Sequence, residues 1–373
     1  MWAMTVKEFR QLRRDKRTLA MMIVLPIMLL VIFGYAASFD VTKISTLVVG
    51  PRAATYAKIL HRPFAPVRVA PHESVAQAKG ALQSGDASVV FVAGAHSTRA
   101  VVDGADLFTA RAAEAAIARL ATPKALLSSV LAALPPGHFM LVPASALPPK
   151  TQVLYNPQLK TAVVMVPGLA GVILVFVGTL IASLGVVRER QAGTLEQLAV
   201  MPLSPWDVLI GKVAPYFLVA ALDLLIVLVC GMLLFGVPMH GSVLLLILGS
   251  LLFLFVTLSL GVLISSVSQN QGQAIQLAMM TVLPQILLSG LIFPLNSMAA
   301  GVRWIAYLLP LTYFIQIARA VMLRGAPITD LWQPFALLAV LGAITVTVAT
   351  LRFRRLLSPS PRRVRSTSPR SAS

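Results

Sequence analysis

Asp223 is a carboxylate set within a run of apolar residues, eleven positions past Lys212. On a helix that spacing is about 16 Å of rise, which brings the acid near the middle of an apolar span. An ionised side chain there costs at least about 2.5 to 3.5 kcal/mol, so it must face a bundle interior or water, or else hold a proton. Two chemistries fit it: contact with a cation on a pathway, or an internal hydrogen-bonded strut. Gln276 and Gln285 are the other polar side chains of this kind, nine residues apart and so about 180° apart on a helix, which allows at most one of them to line a narrow path. Met279 and Met280 beside them read as packing. The single cysteine, Cys230, lies in an apolar run, so no internal disulfide forms and no thiolate metal site is expected. No Gly-x4-Gly-Lys-Ser/Thr phosphate loop occurs, because Gly211-Lys212 is followed by Val213 and lacks the preceding glycine. The chain is expected to be no enzyme and to hold no cofactor or metal of its own.

The elements that must position these residues are set by composition. The 373 residues are 57% hydrophobic and 12% charged, and the mean hydropathy of +0.84 exceeds what a soluble core can hide. The net charge of +18 largely flanks apolar runs, where it reads as topology information and contact with anionic lipid rather than nucleic acid. Six stretches reach the roughly 20 residues that a span needs: 19–38, 163–187, 213–236, 243–267, 273–295 and 331–351. The first also has the outline of a signal peptide, with basic residues before it and Ala36, Ala37 and Ser38 at its end. The expected fold is therefore an α-helical polytopic membrane protein with six transmembrane helices and an extracytoplasmic α/β domain between helices 1 and 2.

Lysines and arginines near span ends give the orientation. Lys7, Arg10, Arg13, Arg14, Lys16 and Arg17 precede the first stretch, and Arg352, Arg354, Arg355, Arg362, Arg363, Arg365 and Arg370 follow the last. Both termini are expected on the cytoplasmic side, and the turn 237–242, without Lys or Arg, on the outer side. Within residues 1–18, Trp2, Val6, Phe9 and Leu12 oppose Lys7, Arg10, Arg14 and Arg17, the pattern of an interfacial amphipathic helix or of a topology signal alone. Residues 39–161 change character, with charges of both signs and short valine-rich strand candidates at 45–49, 67–69, 88–92 and 100–102. Ser74 with Gln77 forms a capping box, and the alanine-rich run 107–134, interrupted at Pro123, supplies a longer helix. Such a domain could engage substrate or an outer partner, or act as a structural cap. The tail 358–373, rich in Ser, Pro and Arg, is expected to be disordered.

The connection between the second and third stretches carries two helix starts. Thr194 with Gln197 makes one capping box, Leu195 and Leu198 give a short apolar face, and Pro202 stops the helix; Ser204, Pro205 and Asp207 then begin another. A short helix joined stiffly to a spanning helix could pass on a push from a docked partner. Between the fifth and sixth stretches, 288–325 is too apolar for a solvated loop and is broken at Pro294 and Pro310, as half-helices dipping back from one face would be.

At these residues the sequence resembles the ABC transmembrane type-2 permease family, the membrane subunits of ATP-binding-cassette exporters. Glu189 and Arg190, Gly193 to Leu198 including Thr194, Leu195 and Glu196, Pro202-Leu203-Ser204, and Gly211-Lys212 match the family's hallmark elements. Tyr155-Asn156-Pro157 with Val166-Pro167-Gly168-Leu169 resembles its entry into the second span. The run 308–319, with Pro310, Thr312 and Tyr313, resembles its signature before the last span, while Gly50-Pro51-Arg52 stands where many relatives carry an acidic pair.

The resemblance implies a coupling helix at 189–202 seated in a groove of an ATPase subunit that binds ATP and Mg. It also implies a second permease chain and an outer gate at 294–325, with Pro294, Asn296, Arg303, Trp304 and Pro310 at gate level. A lipid-interface belt is an equal reading for Trp304, and Arg319 and Arg324 read as anchors of the outer end. The size of the outer domain resembles the multidrug-efflux branch of inner-membrane permeases, which brings in a periplasmic adaptor protein as a further expected partner and a hydrophobic or amphipathic cargo. Two other classes stand beside an exporter: an ion-coupled secondary transporter using Asp223, and a non-transporting signal transmitter.

Overall fold

The computed structural model describes residues 41, 43–58, 60–94, 97–120, 149–192 and 205–357, with the side chains of 66, 189–190, 205–216 and 353–357 outside that description. The stretch 19–38, the N-terminal helix of 1–18, the heart of the coupling segment at 193–204 and the tail 358–373 therefore lie outside the described residues.

Residues 44–154 contain a five-stranded sheet. Its strands are β1 (Ile44–Val49), β2 (Phe64–Ala70), β3 (Val89–Ala93), β4 (Thr98–Asp103) and β5 (Lys150–Leu154), in the order β2-β1-β3-β4-β5. β1 pairs in parallel with both β2 and β3, β3 with β4 antiparallel, and β4 with β5 in parallel. The parallel pairs need crossovers, supplied by α1 (Ala53–Ala57) and α2 (Val75–Ser84), while α3 (Leu107–Leu120) follows β4. The valine-rich runs read from sequence lie in β1 to β4. β5 was not anticipated, because its Lys150-Thr151-Gln152 half is polar and exposed and lacks the apolar signature of a buried strand.

Apolar side chains fill both faces of the sheet. On one, Tyr56 and Phe64 each place a ring 5.3 Å from that of Phe91, and Ala110, Ala113 and Ile117 of α3 close over them. On the other, Ala78 and Leu82 of α2 cover Leu47, Val90 and Val101. The capping box at α2 is formed: the Gln77 N–H donates to Ser74 Oγ at 3.2 Å, and the Ser74 N–H to Gln77 Oε1 at 2.8 Å. Such a cap is worth about 1 kcal/mol.

The rest is helical: α4 (Thr161–Phe176), a π-helical segment Val177–Ile181, α5 (Ala182–Gln191), α6 (Pro205–Phe235), α7 (Val243–Val267), α8 (Gln271–Leu288), α9 (Ala300–Ala306), α10 (Pro310–Arg319), a second π-helical segment Ala320–Arg324, and α11 (Ile328–Leu357). Among the described residues, four continuous helical stretches are long and apolar enough to cross a bilayer, Thr161–Arg188, Phe217–Phe235, Val243–Val267 and Ile328–Arg352; a fifth is added if Ala300–Ala306 and Pro310–Arg324, bent by 78°, count as one span. The protein is thus a polytopic helical membrane protein. The expected span 273–295 is shorter than read from sequence: the helix stops at Leu288, Gly290 takes the left-handed φ of +85°, and Pro294 precludes an early restart.

α7 is the centre of the bundle, packing against α4, α6, α10 and α11. Phe253 stacks on Phe314 with ring centroids 4.5 Å apart. Its serines satisfy themselves within the helix, as Ser250 Oγ donating to the Leu246 carbonyl at 2.6 Å illustrates.

Candidate functional site

The two ends of the helical bundle have different chemistry. At one end the sheet runs into α4 through a six-residue turn, 155–160. There the Lys160 N–H donates to Asn156 Oδ1 and Asn156 Nδ2 donates to the Lys160 carbonyl, both at 3.0 Å. Tyr155 and Leu159 hold left-handed φ angles of 65° and 47°, each at a cost of order 1 kcal/mol that the closed Asn156 turn offsets. This is the Tyr155-Asn156-Pro157 element read from sequence.

Beyond α8 the chain builds a polar scaffold at the same end. Arg303 folds back so that Nη2 donates to the carbonyls of Met298 at 2.9 Å and Asn296 at 3.2 Å, which ties the 294–298 turn to α9. The side chains of Leu287, Leu288, Phe293, Met298 and Val302 form a small core beneath it. The bend into α10 is held by two hydroxyls: Thr312 Oγ1 donates to the Ala306 carbonyl and the Tyr313 hydroxyl to the Tyr307 carbonyl, both at 2.6 Å. Pro310 starts α10, where its missing N–H costs nothing. Of the gate-level residues, Arg303 meets the backbone of Asn296, Pro294 is buried at the head of that turn, Pro310 lies at the bend, and Trp304 projects with 59% exposure.

Three further elements converge on the segment Ala320–Arg324 and the glycine after it. Arg324 forms an ion pair of 2.7 Å with Asp103 at the end of β4, Gln83 of α2 donates to the Gly325 carbonyl at 2.9 Å, and the His240 N–H donates to the Met322 carbonyl at 3.0 Å. Asp103 is 2% exposed. Burial pushes its carboxyl up, while the Arg324 guanidinium and the Ala105 N–H pull it the other way. Sequence reading assigned Arg324 only an anchoring role and missed Asp103. The available signal was that two arginines five residues apart in an apolar segment demand a counter-charge.

At the other end, Gln271 of α8 donates to Gln191 of α5 at 2.9 Å. Glu189 and Arg190 lie in the last turns of α5, and Gly211 and Lys212 near the start of α6, by backbone. Gly193, Thr194, Leu195, Glu196, Leu198, Pro202, Leu203 and Ser204 lie outside the described residues.

The interior candidates are separated. Asp223 is half-buried, on the α6 stripe that also carries the buried Ala220, Leu224 and Leu228, and no ion pair reaches it among the described residues. Gln285 is fully buried with Nε2 donating weakly to the Thr281 carbonyl at 3.4 Å. The Oε1 atoms of Gln276 and Gln285 are both buried without a hydrogen-bond partner. Among the described residues no cluster of His, Cys, Asp or Glu could hold a metal ion.

Comparison with known proteins agrees with this architecture. A family described as ABC-2 family transporter protein matches residues 16–351. The chain is 28% identical over 341 residues to the probable multidrug ABC transporter permease YbhS of Escherichia coli K12, covering 87% of this chain and 88% of that one. It is 33% identical over 201 residues to the probable multidrug ABC transporter permease YbhR of the same organism, and 32% over 213 residues to its inner membrane transport permease YhhJ, in each case over slightly more than half of both chains.

Proposed function

Because this chain belongs to the ABC-2 family of transporter proteins, we propose that it is the permease subunit of an ABC exporter of the inner membrane, moving an amphipathic substrate outward with work supplied by a separate ATPase. The relatives are named as ABC transporter permeases, which supports a role in membrane transport. Nucleotide and Mg are assigned to the partner, and the permease acts as a conduit with moving parts.

One observation carries the reading. The stretch Thr161–Arg188 is 28 residues long, about 42 Å of helix, enough to cross hydrocarbon and headgroups. It starts at the sheet and ends at the 189–212 connection, which supports a reading with the sheet on the extracytoplasmic face and the coupling segment on the cytoplasmic face; both termini are proposed to lie inside from the Lys and Arg that flank the first and last apolar stretches. The apolar surface of α6 is compatible with lipid and with a second permease chain: Leu218, Leu222, Leu225, Leu233 and Leu234 are exposed along it. A periplasmic adaptor would meet the sheet.

Replacing Leu195 and Leu198 together by Glu should leave the membrane protein intact and lower substrate-stimulated ATP hydrolysis of the reconstituted complex at least tenfold. Undiminished coupling would overturn the assignment of the segment. A second reading, ion-coupled transport, is favoured by the half-buried Asp223 alone. It requires transport by the purified chain without an ATPase and its loss in Asp223→Asn. Under the exporter reading Asp223→Asn changes ATP-driven transport less than threefold.

A further inference from the structure

A cavity of about 560 Å³ opens between the sheet, the connection after α8, α10 and the first turns of α11, within the size range of small-ligand sites. Its polar groups are mismatched for a closed structural joint. Arg319 projects into it with only two long bonds to carbonyls, Nε to Val164 at 3.4 Å and Nη1 to Gly290 at 3.3 Å. No carboxylate lies within ion-pair distance of Arg319 among the described residues, and Asp103 is paired with Arg324. Ser289, in the same wall, is 1% exposed, and its hydroxyl has no hydrogen-bond partner. A buried donor left unmade costs about 1 to 3 kcal/mol, so a guanidinium and an orphan hydroxyl lining the same cavity mark a place for an acceptor that carries charge.

The rest of the wall has the opposite sign. Asp86, Asp106 and Asp330 line the cavity and are bonded by neutral hydroxyls: Ser84 to Asp86 at 2.9 Å, Thr109 to Asp106 at 2.7 Å and Thr329 to Asp330 at 3.3 Å. Their charges are left without cations in contact among the described residues. A simple anion would meet three carboxylates, and a simple cation would meet the Arg319 guanidinium. We propose that this cavity binds a zwitterion, its phosphate or carboxylate held by Arg319 and Ser289 and its ammonium directed to Asp106 and Asp330. Arg319 suits a two-oxygen acceptor through its planar fork. The claim concerns binding alone and stands whether or not the bound group is cargo, so its failure leaves the exporter reading untouched.

The test uses the full chain in nanodiscs of phosphatidylglycerol, which lacks an ammonium group, titrated calorimetrically with phosphoethanolamine, inorganic phosphate and ethanolamine. Phosphoethanolamine should bind at least tenfold tighter than either half. Arg319→Gln should weaken it at least tenfold, Arg319→Lys by less, and Ser289→Ala severalfold. Asp330→Asn, a near-isosteric change in the first turn of α11, should weaken phosphoethanolamine without weakening phosphate. Absence of binding, phosphate binding as tightly as phosphoethanolamine, or Arg319→Gln and Asp330→Asn both without effect would overturn the proposal. Repeating the titration in phosphatidylethanolamine discs separates the sources: a tenfold loss of apparent affinity identifies the lipid headgroup as occupant, and an unchanged value identifies a water-soluble zwitterion.

Discussion

Among the described residues two stretches take the wider π-helical turn, and their surroundings are opposite. Val177–Ile181 interrupts a membrane-crossing helix where neighbours are small and dry: Gly178 and Thr179 are buried, and the Thr179 hydroxyl has no partner. Gly261 of α7 approaches so closely that a Cβ there would sit 2.7 Å from the Gly178 carbonyl oxygen. Ala320–Arg324, in contrast, is pinned by the Asp103 ion pair, by His240 and, at its end, by Gln83, and it stops at Gly325 in the left-handed region. A π turn gives up regular i to i−4 bonding and must be held by something else. In one case that is close packing alone, and in the other it is a polar scaffold shared with the sheet.

Variants can break or sharpen this contrast. The largest effect belongs to Asp103→Ala, which leaves Arg324 without its partner in a mostly buried site and should cost about 3 to 5 kcal/mol; unfolding of the purified protein in mixed micelles measures it, and a change under 1 kcal/mol would show that the scaffold does not depend on charge. Gly261→Ala should cost about 1 to 3 kcal/mol by overpacking against backbone that has no rotamer to yield, seen as a lower midpoint in the same assay. Smallest is Thr179→Val, which removes the orphan hydroxyl while keeping the shape. It should be neutral or stabilising by up to about 1 kcal/mol. A clear loss of stability there would mean that the hydroxyl is bonded after all.

Much of the fold was legible because the bilayer and the pleat impose strong periodic signals. The long apolar runs at 163–187 and 243–267 coincide closely with observed helices, and the valine clusters mark β1 to β4. β5 escaped because it is an edge strand with a polar half, recruited by pairing with β4 rather than by its own composition. The run after α8 was recognisable as something other than a solvated loop from Pro294 and Pro310, but not the roles of Thr312 and Tyr313, whose hydroxyls reach carbonyls six residues back across a bend. The Asp103 ion pair joins positions 221 residues apart, a separation at which no local pattern carries information. The motif at 189–212 remained the strongest functional signal in the sequence because it is local.

The turn between β5 and α4 has a consequence for how such a chain can lengthen. Asn156 closes it on Lys160 from both sides, and β5 is already locked in register with β4. One residue inserted there would disturb the Asn156–Lys160 pairing and the left-handed backbone of Tyr155 and Leu159, so the turn would have to be rebuilt for β5 to keep its register and α4 its seat against the bundle. Changes of length should therefore be tolerated better within the domain's own connections than at this joint.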